Sequence, residues 1–184
     1  MANRRQIIST RFGVTTMTER MRVYWDACAW LGLLNGETEK SQALEYVWRK
    51  AEKGEIEIWT SAFSYAEVYR VKCEGQWSSL VQENDDKINN LFDQDFVKIV
   101  QVDTEIGKLA KKLLRTHEKL KKPSDAIHLA TAVYWDLAQL HTYDGCDLIG
   151  LNVQTSSGES LLICKPDMVD GENLFNRLPL GHDK

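Results

Sequence analysis

Short apolar runs alternate with helical stretches along most of this chain, and that alternation restricts its fold more than any other feature. Residues 22–25, 56–59, 96–102, 140–143 and 160–164 read as strands. Between them lie helical patterns. One covers 27–34 and closes at Asn35-Gly36. A second, amphipathic one carries Ser41, Ala43, Leu44, Val47, Trp48 and Ala51 and stops before Gly54. Thr60 and Ser61 read as N-cap residues of a third helix bearing Phe63, Ala66, Glu67, Val68, Tyr69 and Val71, broken at Gly75. A polar helix over 77–92 and a Lys-rich helix capped by Asp103 or Thr104 follow. The Lys-rich helix buries Ile106, Leu109, Ala110, Leu113 and Leu114. Strands that alternate with helices imply right-handed crossovers and a parallel sheet covered on both faces.

The last helix opens at Lys122-Pro123-Ser124-Asp125. Proline suits the first helical position, where its missing N–H costs nothing. Asp125 falls in the first turn, where a carboxylate meets the positive end of the helix dipole. Ala126, Leu129, Ala130, Val133 and Leu137 recur at three- and four-residue spacing, and Ile127 and Tyr134 widen that side. The helix is therefore expected to be mostly buried.

A chain of 184 residues suffices for one domain with a real core. Residues 1–20 are polar, lack the apolar run of a secretory signal and are expected to be poorly ordered. The fold should occupy 21–166 and leave a tail at 167–184. No apolar run reaches bilayer length. The four cysteines are far apart and form no CxxC pair, which disfavours zinc and fits a reducing cytosol. The net charge is -4, but the basic groups cluster. Residues 103–122 hold seven Lys and Arg against three acids, so a nucleic-acid partner is compatible with the acidic total. Lys108, Lys111, Lys112 and Arg115 share one helix face and are the candidate phosphate contacts.

Ligands of open α/β sheets bind beyond the C-terminal ends of the strands. Asp26 and Asp144 end two strands, and Glu67 and Asp125 lie near helix starts facing the same rim; Asp147 would add a fifth acid. Each has a purely structural role open to it. Asp26 can cap the helix at Ala27, Glu67 can pair with Arg70, and Asp144-Gly145 is an ordinary turn pair. Together at one rim they would repel, and crowded carboxylates bind hard cations. Oxygen ligands alone indicate Mg²⁺ or Mn²⁺. An acidic pocket with separate basic patches points to phosphodiester hydrolysis, in which an ion lowers the pKa of a water and screens the scissile phosphate. His128, one turn after Asp125, is read as a core or supporting histidine outside the catalytic set.

These segments resemble the PIN-domain ribonucleases of the VapC toxin-like kind. The resemblance spans residues 21–166. It rests on the strand ending in Asp26, Ser61-Ala62-Phe63-Ser64-Tyr65-Ala66-Glu67, Pro123-Ser124-Asp125-Ala126-Ile127-His128-Leu129-Ala130 and Thr142-Tyr143-Asp144. It implies a three-layer α/β/α fold with a central parallel sheet of four to five strands. It implies a Mg²⁺ or Mn²⁺ site at Asp26, Glu67, Asp125 and Asp144, and cleavage of single-stranded RNA. Many members dimerise, and toxin members are held inactive by a small antitoxin whose tail enters the pocket. One departure stands out. Many relatives carry a hydroxyl or amide residue directly after the first Asp, where this chain has Ala27, so a hydrogen bond orienting Asp26 must come from elsewhere. A non-catalytic RNA- or protein-binding member of the same fold is the first alternative. A phospho-accepting receiver domain is the second, although Asp26 lacks the acidic neighbour that such a site wants.

Overall fold

The computed structural model describes residues 20–75 and 79–168. Its strands are β1 (Met21–Trp25), β2 (Ile56–Ser61), β3 (Val97–Val100), β4 (Gln139–His141), β5 (Val153–Gln154) and β6 (Ser160–Cys164). They form one six-stranded sheet in the order β3-β2-β1-β4-β6-β5. All neighbours are parallel except β5, which pairs antiparallel with β6. The helices are α1 (Ala27–Leu34), α2 (Ser41–Glu52), α3 (Ser64–Glu67), α4 (Gln82–Phe92), α5 (Thr104–Thr116) and α6 (Pro123–Tyr134).

The central strand shows why the sheet needs two covers. Met21-Arg22-Val23-Tyr24-Trp25 alternates its side chains between two separate cores. Val23 and Trp25 join Trp30, Leu44, Val47, Ile58 and Phe92, on the side of α1, α2 and α4. Tyr24 joins Ile106, Leu113, Ala126, Leu129, Leu140 and Ile163, on the side of α5 and α6. In the first core, Trp30 meets Trp25 at 5.0 Å and Phe92 at 4.7 Å between ring centroids. Each large apolar side chain buried this way contributes roughly 1.5–3 kcal/mol. Asp103 caps α5 as its spacing suggests, accepting from the N–H groups of Glu105 and Ile106 at 3.0 Å each.

The structure departs from the sequence reading in four places. The sheet has six strands because the two-residue β5 closes one edge. Thr60 and Ser61 do not cap a helix; they end β2 and are fully buried. The Thr60 hydroxyl instead ties β1 to α3, hydrogen-bonding the Trp25 carbonyl at 2.9 Å and the Ser64 hydroxyl at 2.7 Å. The third helix is only one turn. It ends at Val68, and the buried carboxylate of Glu74 then claims the N–H groups of Val71 and Val81 at 3.0 and 2.8 Å. Finally, α4 begins at Gln82; the expected start near Trp77 lies outside the described residues, as do nearly all of 1–20 and 167–184.

The strand order places the useful crevice. From β1 the chain steps to β2 and β3 on one side, and from β3 it crosses back to β4 on the other. Adjacent strands whose connections leave in opposite directions open a gap at their C-terminal ends, and here those strands are β1 and β4.

Candidate metal centre

Two of the acids stand directly at that gap. Asp26 follows β1 and its N–H reaches the His141 carbonyl of β4 at 3.4 Å. Its Oδ1 accepts from the Ala29 N–H at 3.0 Å, so it does cap α1. Asp26 is buried, and burial pushes its carboxyl above the usual value; the Thr142 hydrogen bond and the charge of His128 oppose that rise. Thr142 thus supplies the contact that Ala27 cannot. The same hydroxyl accepts from the Asp144 N–H at 2.9 Å and so links the two strand-end acids.

Asp144 is held by its own turn. Its Oδ1 accepts from the N–H groups of Cys146 and Asp147, both at 2.9 Å, which leaves Oδ2 for the crevice. Asp125 comes from the first turn of α6, whose buried body fixes its position. One carboxylate oxygen each from Asp125, Asp144 and Asp147 lie within 4.8 Å of one another. Asp125 Oδ2 is buried, and its nearest described partner is the Lys122 ammonium at 3.5 Å, the limit of hydrogen-bond distance. Burial lifts the Asp125 carboxyl above its ordinary value, with Lys122 opposing and Asp144 adding. Asp144 goes the other way, held low mainly by its hydrogen bond from Lys122.

Lys122 is the cation of this crevice. Its Nζ lies 2.8 Å from Asp144 Oδ2, 3.2 Å from Asp147 Oδ2 and 3.5 Å from Asp125 Oδ2. Those hydrogen bonds, to Asp144 first and Asp147 second, hold the ammonium well above its usual pKa.

Glu67 ends α3 and is not one of the three converging acids; its partner is His128 rather than Arg70. Glu67 Oε2 lies 2.5 Å from His128 Nε2. The other ring nitrogen shares a 2.8 Å hydrogen bond with the Tyr24 hydroxyl, which accepts from the Ser61 N–H at 3.2 Å. Burial disfavours the charged ring, but Tyr24 and the Glu67 carboxylate outweigh it and raise His128 to about 10. His128 sits one helical turn beyond Asp125, so α6 positions both the crevice acid and the anchor of Glu67.

The donor set fits a hard divalent cation such as Mg²⁺ or Mn²⁺: oxygen atoms only, fixed by turns and a buried helix and converging within 4.8 Å. Lys108, Lys111, Lys112 and Arg115 lie exposed on α5, away from the buried Ile106, Ala110 and Leu113. Lys108 is paired with Glu105 at 2.7 Å. Two contributors escaped the sequence reading, and so did the partner of a third. Lys122 had a legible signal, since it precedes Asp125 by three residues and one turn. Thr142 had none, because its partners come from β1 and from the turn after β4. His128 was visible, but its bond to Glu67 spans 61 positions.

A family model described as PIN domain matches residues 23–145. Among solved structures, the chain is similar to VapC20 of Mycobacterium tuberculosis, described as a sarcin-ricin loop cleaving toxin. The identity is 15%, over 67% of this chain and 90% of that one, with a TM-score of 0.53. It is also similar to a chain of a toxin-antitoxin complex from Klebsiella pneumoniae, at 16% identity over 80% of this chain and 99% of that one, with a TM-score of 0.51. No curated protein matches it.

Proposed function

The chain belongs to the PIN domain family, and on that premise we propose that it is a metal-dependent endoribonuclease that cleaves single-stranded RNA, acting as the toxin of a toxin-antitoxin pair. The observation that carries this reading is the convergence of one carboxylate oxygen each from Asp125, Asp144 and Asp147, within 4.8 Å of one another, at the β1–β4 gap. Mg²⁺ or Mn²⁺ held there would supply an activated water and offset the charge on the scissile phosphate. Asp125, Asp144 and Asp147 would bind the ion. Asp26, steered by Thr142 and the Ala29 N–H, and Glu67, steered by His128, would complete the acidic lining. Lys108, Lys111, Lys112 and Arg115 would follow the RNA backbone.

The toxin assignment draws support from what the similar structures are: one is described as a sarcin-ricin loop cleaving toxin, the other as part of a toxin-antitoxin complex. A small antitoxin is the partner this reading requires, and a homodimer is the assembly we favour. The four free cysteines suit a reducing, cytoplasmic setting. No described helix is long and apolar enough to cross a membrane. The test is cleavage of single-stranded RNA by purified protein freed of inhibitor, with Mg²⁺, with Mn²⁺ and with EDTA. Activity should require the ion, and Asp125→Asn should abolish it while leaving the circular dichroism unchanged. Full activity in excess EDTA, or undiminished cleavage by Asp125→Asn, overturns the metal mechanism.

A further inference from the structure

We propose, resting on the metal-dependent reading above, that Lys122 is a built-in counter-ion of the crevice and that a divalent ion enters by displacing it. One ammonium faces three carboxylates, at 2.8, 3.2 and 3.5 Å. An ammonium has three donors and no acceptor, so this arrangement satisfies it without other partners. The oxygens it holds belong to the carboxylates that converge within 4.8 Å, so ammonium and ion compete for one set of ligands.

The two sides of this contact differ in how they are held. The acids are fixed. Asp144 Oδ1 is locked by two backbone N–H groups and Asp125 rides on a buried helix. The side chains of Asp125, Asp144 and Asp147 are 14%, 15% and 11% exposed, against 57% for Lys122. Lys122 reaches in from the N-cap position before Pro123, where its backbone is extended (φ -94°, ψ 129°) and outside the helix. Its aliphatic stem is largely in solvent, so swinging out uncovers little apolar surface. A divalent ion among these oxygens repels an ammonium a few ångströms away, and the lysine is the group free to leave. The coupling is reciprocal: whatever the ion costs the lysine, the lysine costs the ion.

This makes Lys122 a positioning residue for the ion-free state and a tuner of ion affinity. The test measures Mn²⁺ binding calorimetrically on the full chain, for the parent, Lys122→Gln and Lys121→Gln. Lys121→Gln removes the same charge one residue away and serves as the control for a general field effect. Lys122→Gln should tighten Mn²⁺ by about three- to tenfold, the scale of a partly exposed ion pair. The control should change it by less than about twofold. A second readout needs no variant. Amine acylation followed by mass spectrometry should find Lys122 slower than Lys121 in EDTA and accelerated once Mn²⁺ is added. Equal tightening by the two variants, or none by Lys122→Gln with no Mn²⁺-dependent gain in Lys122 labelling, overturns the displacement while leaving the metal reading intact. Failure of the parent and both variants to bind Mn²⁺ overturns both.

Discussion

Replacing Thr142 with valine should cost more than any surface change of similar size. The two side chains have nearly the same shape, so the packing of this fully buried residue is kept. What is lost is one hydroxyl with two partners, the Asp26 carboxylate and the Asp144 N–H at 2.9 Å. A hydrogen bond to a charged group contributes about 1.5–3 kcal/mol, and an unpaired, partly buried N–H adds about 1 kcal/mol. The expected loss is therefore about 2–4 kcal/mol. For a domain of this size each kcal/mol moves Tm by roughly 2–4 °C, so Thr142→Val should melt about 4–16 °C lower at neutral pH in EDTA. The pH dependence gives a second check. Burial raises the Asp26 carboxyl above 3.8, so its ionisation opposes folding as pH rises from 3.8 through the folded value. The Thr142 hydroxyl relieves part of that opposition; without it the folded value rises further, so the deficit of the variant should grow as pH rises from the parent's folded value through the variant's higher one. Thr142→Ser keeps the hydroxyl and should recover most of the difference. The assay is differential scanning calorimetry of the three proteins from pH 4 to 8. If Thr142→Val melts within about 1 °C of the parent, or if Thr142→Ser falls as far as Thr142→Val, the hydroxyl does not hold the two strand ends together.

Asp125→Asn should melt higher than the parent in metal-free buffer near neutral pH, by roughly 2–4 °C for about 1 kcal/mol. Burial, with the repulsion of Asp144, is what raises its carboxyl, and it outweighs the opposing attraction of Lys122, 3.5 Å from Oδ2. Mn²⁺ should then raise the parent by RT ln(1 + [L]/Kd) and the variant by less. A lower melt in EDTA with an equal Mn²⁺ shift would leave Asp125 as a helix-start carboxylate and nothing more. On the α5 face, Lys111→Ala with Lys112→Ala should flatten the slope of log K against log salt for single-stranded RNA. The change expected is about 0.7 for each lost contact. An unchanged slope would mean that this face is merely solvated.

The parts of the fold that were legible are those whose signals are local. Residues 22–25 read as a buried strand, 160–164 as another, and Pro123 with the apolar stripe behind it as a buried helix, because each pattern is complete within one element. Asp103 capped its helix for the same reason. The misreadings involve groups whose partners lie outside the stretch that carries the pattern. Thr60 looks like a cap in isolation, yet its hydroxyl is claimed by the Trp25 carbonyl 35 positions away. The helix expected over 63–71 shrinks to Ser64–Glu67 because Glu74 draws the following backbone into another path. At the site, the acids were visible as residue types at strand and helix ends. The lysine among them and the histidine holding Glu67 were not placed there, since sequence spacing says little about which charged side chains meet across a crevice.

The small hairpin at the end of the sheet decides how this molecule meets its neighbours. A bare strand edge offers a row of unpaired N–H and C=O groups to any other chain. At the far edge, β3 is four residues long and carries the exposed Lys98, a poor template for pairing. At the near edge, β6 is an apolar Ser160-Leu161-Leu162-Ile163-Cys164 run, and β5 covers it only through Val153 opposite Leu161 and Gln154 opposite Ser160. The intervening turn is pinned by the Thr155 N–H on the Glu159 carbonyl at 2.8 Å and by Gly158 at φ +93°. If that turn opens, the outer edge of the five-residue, largely apolar β6 is bared. The protection of this edge therefore hangs on a loop that lies apart from the acidic crevice.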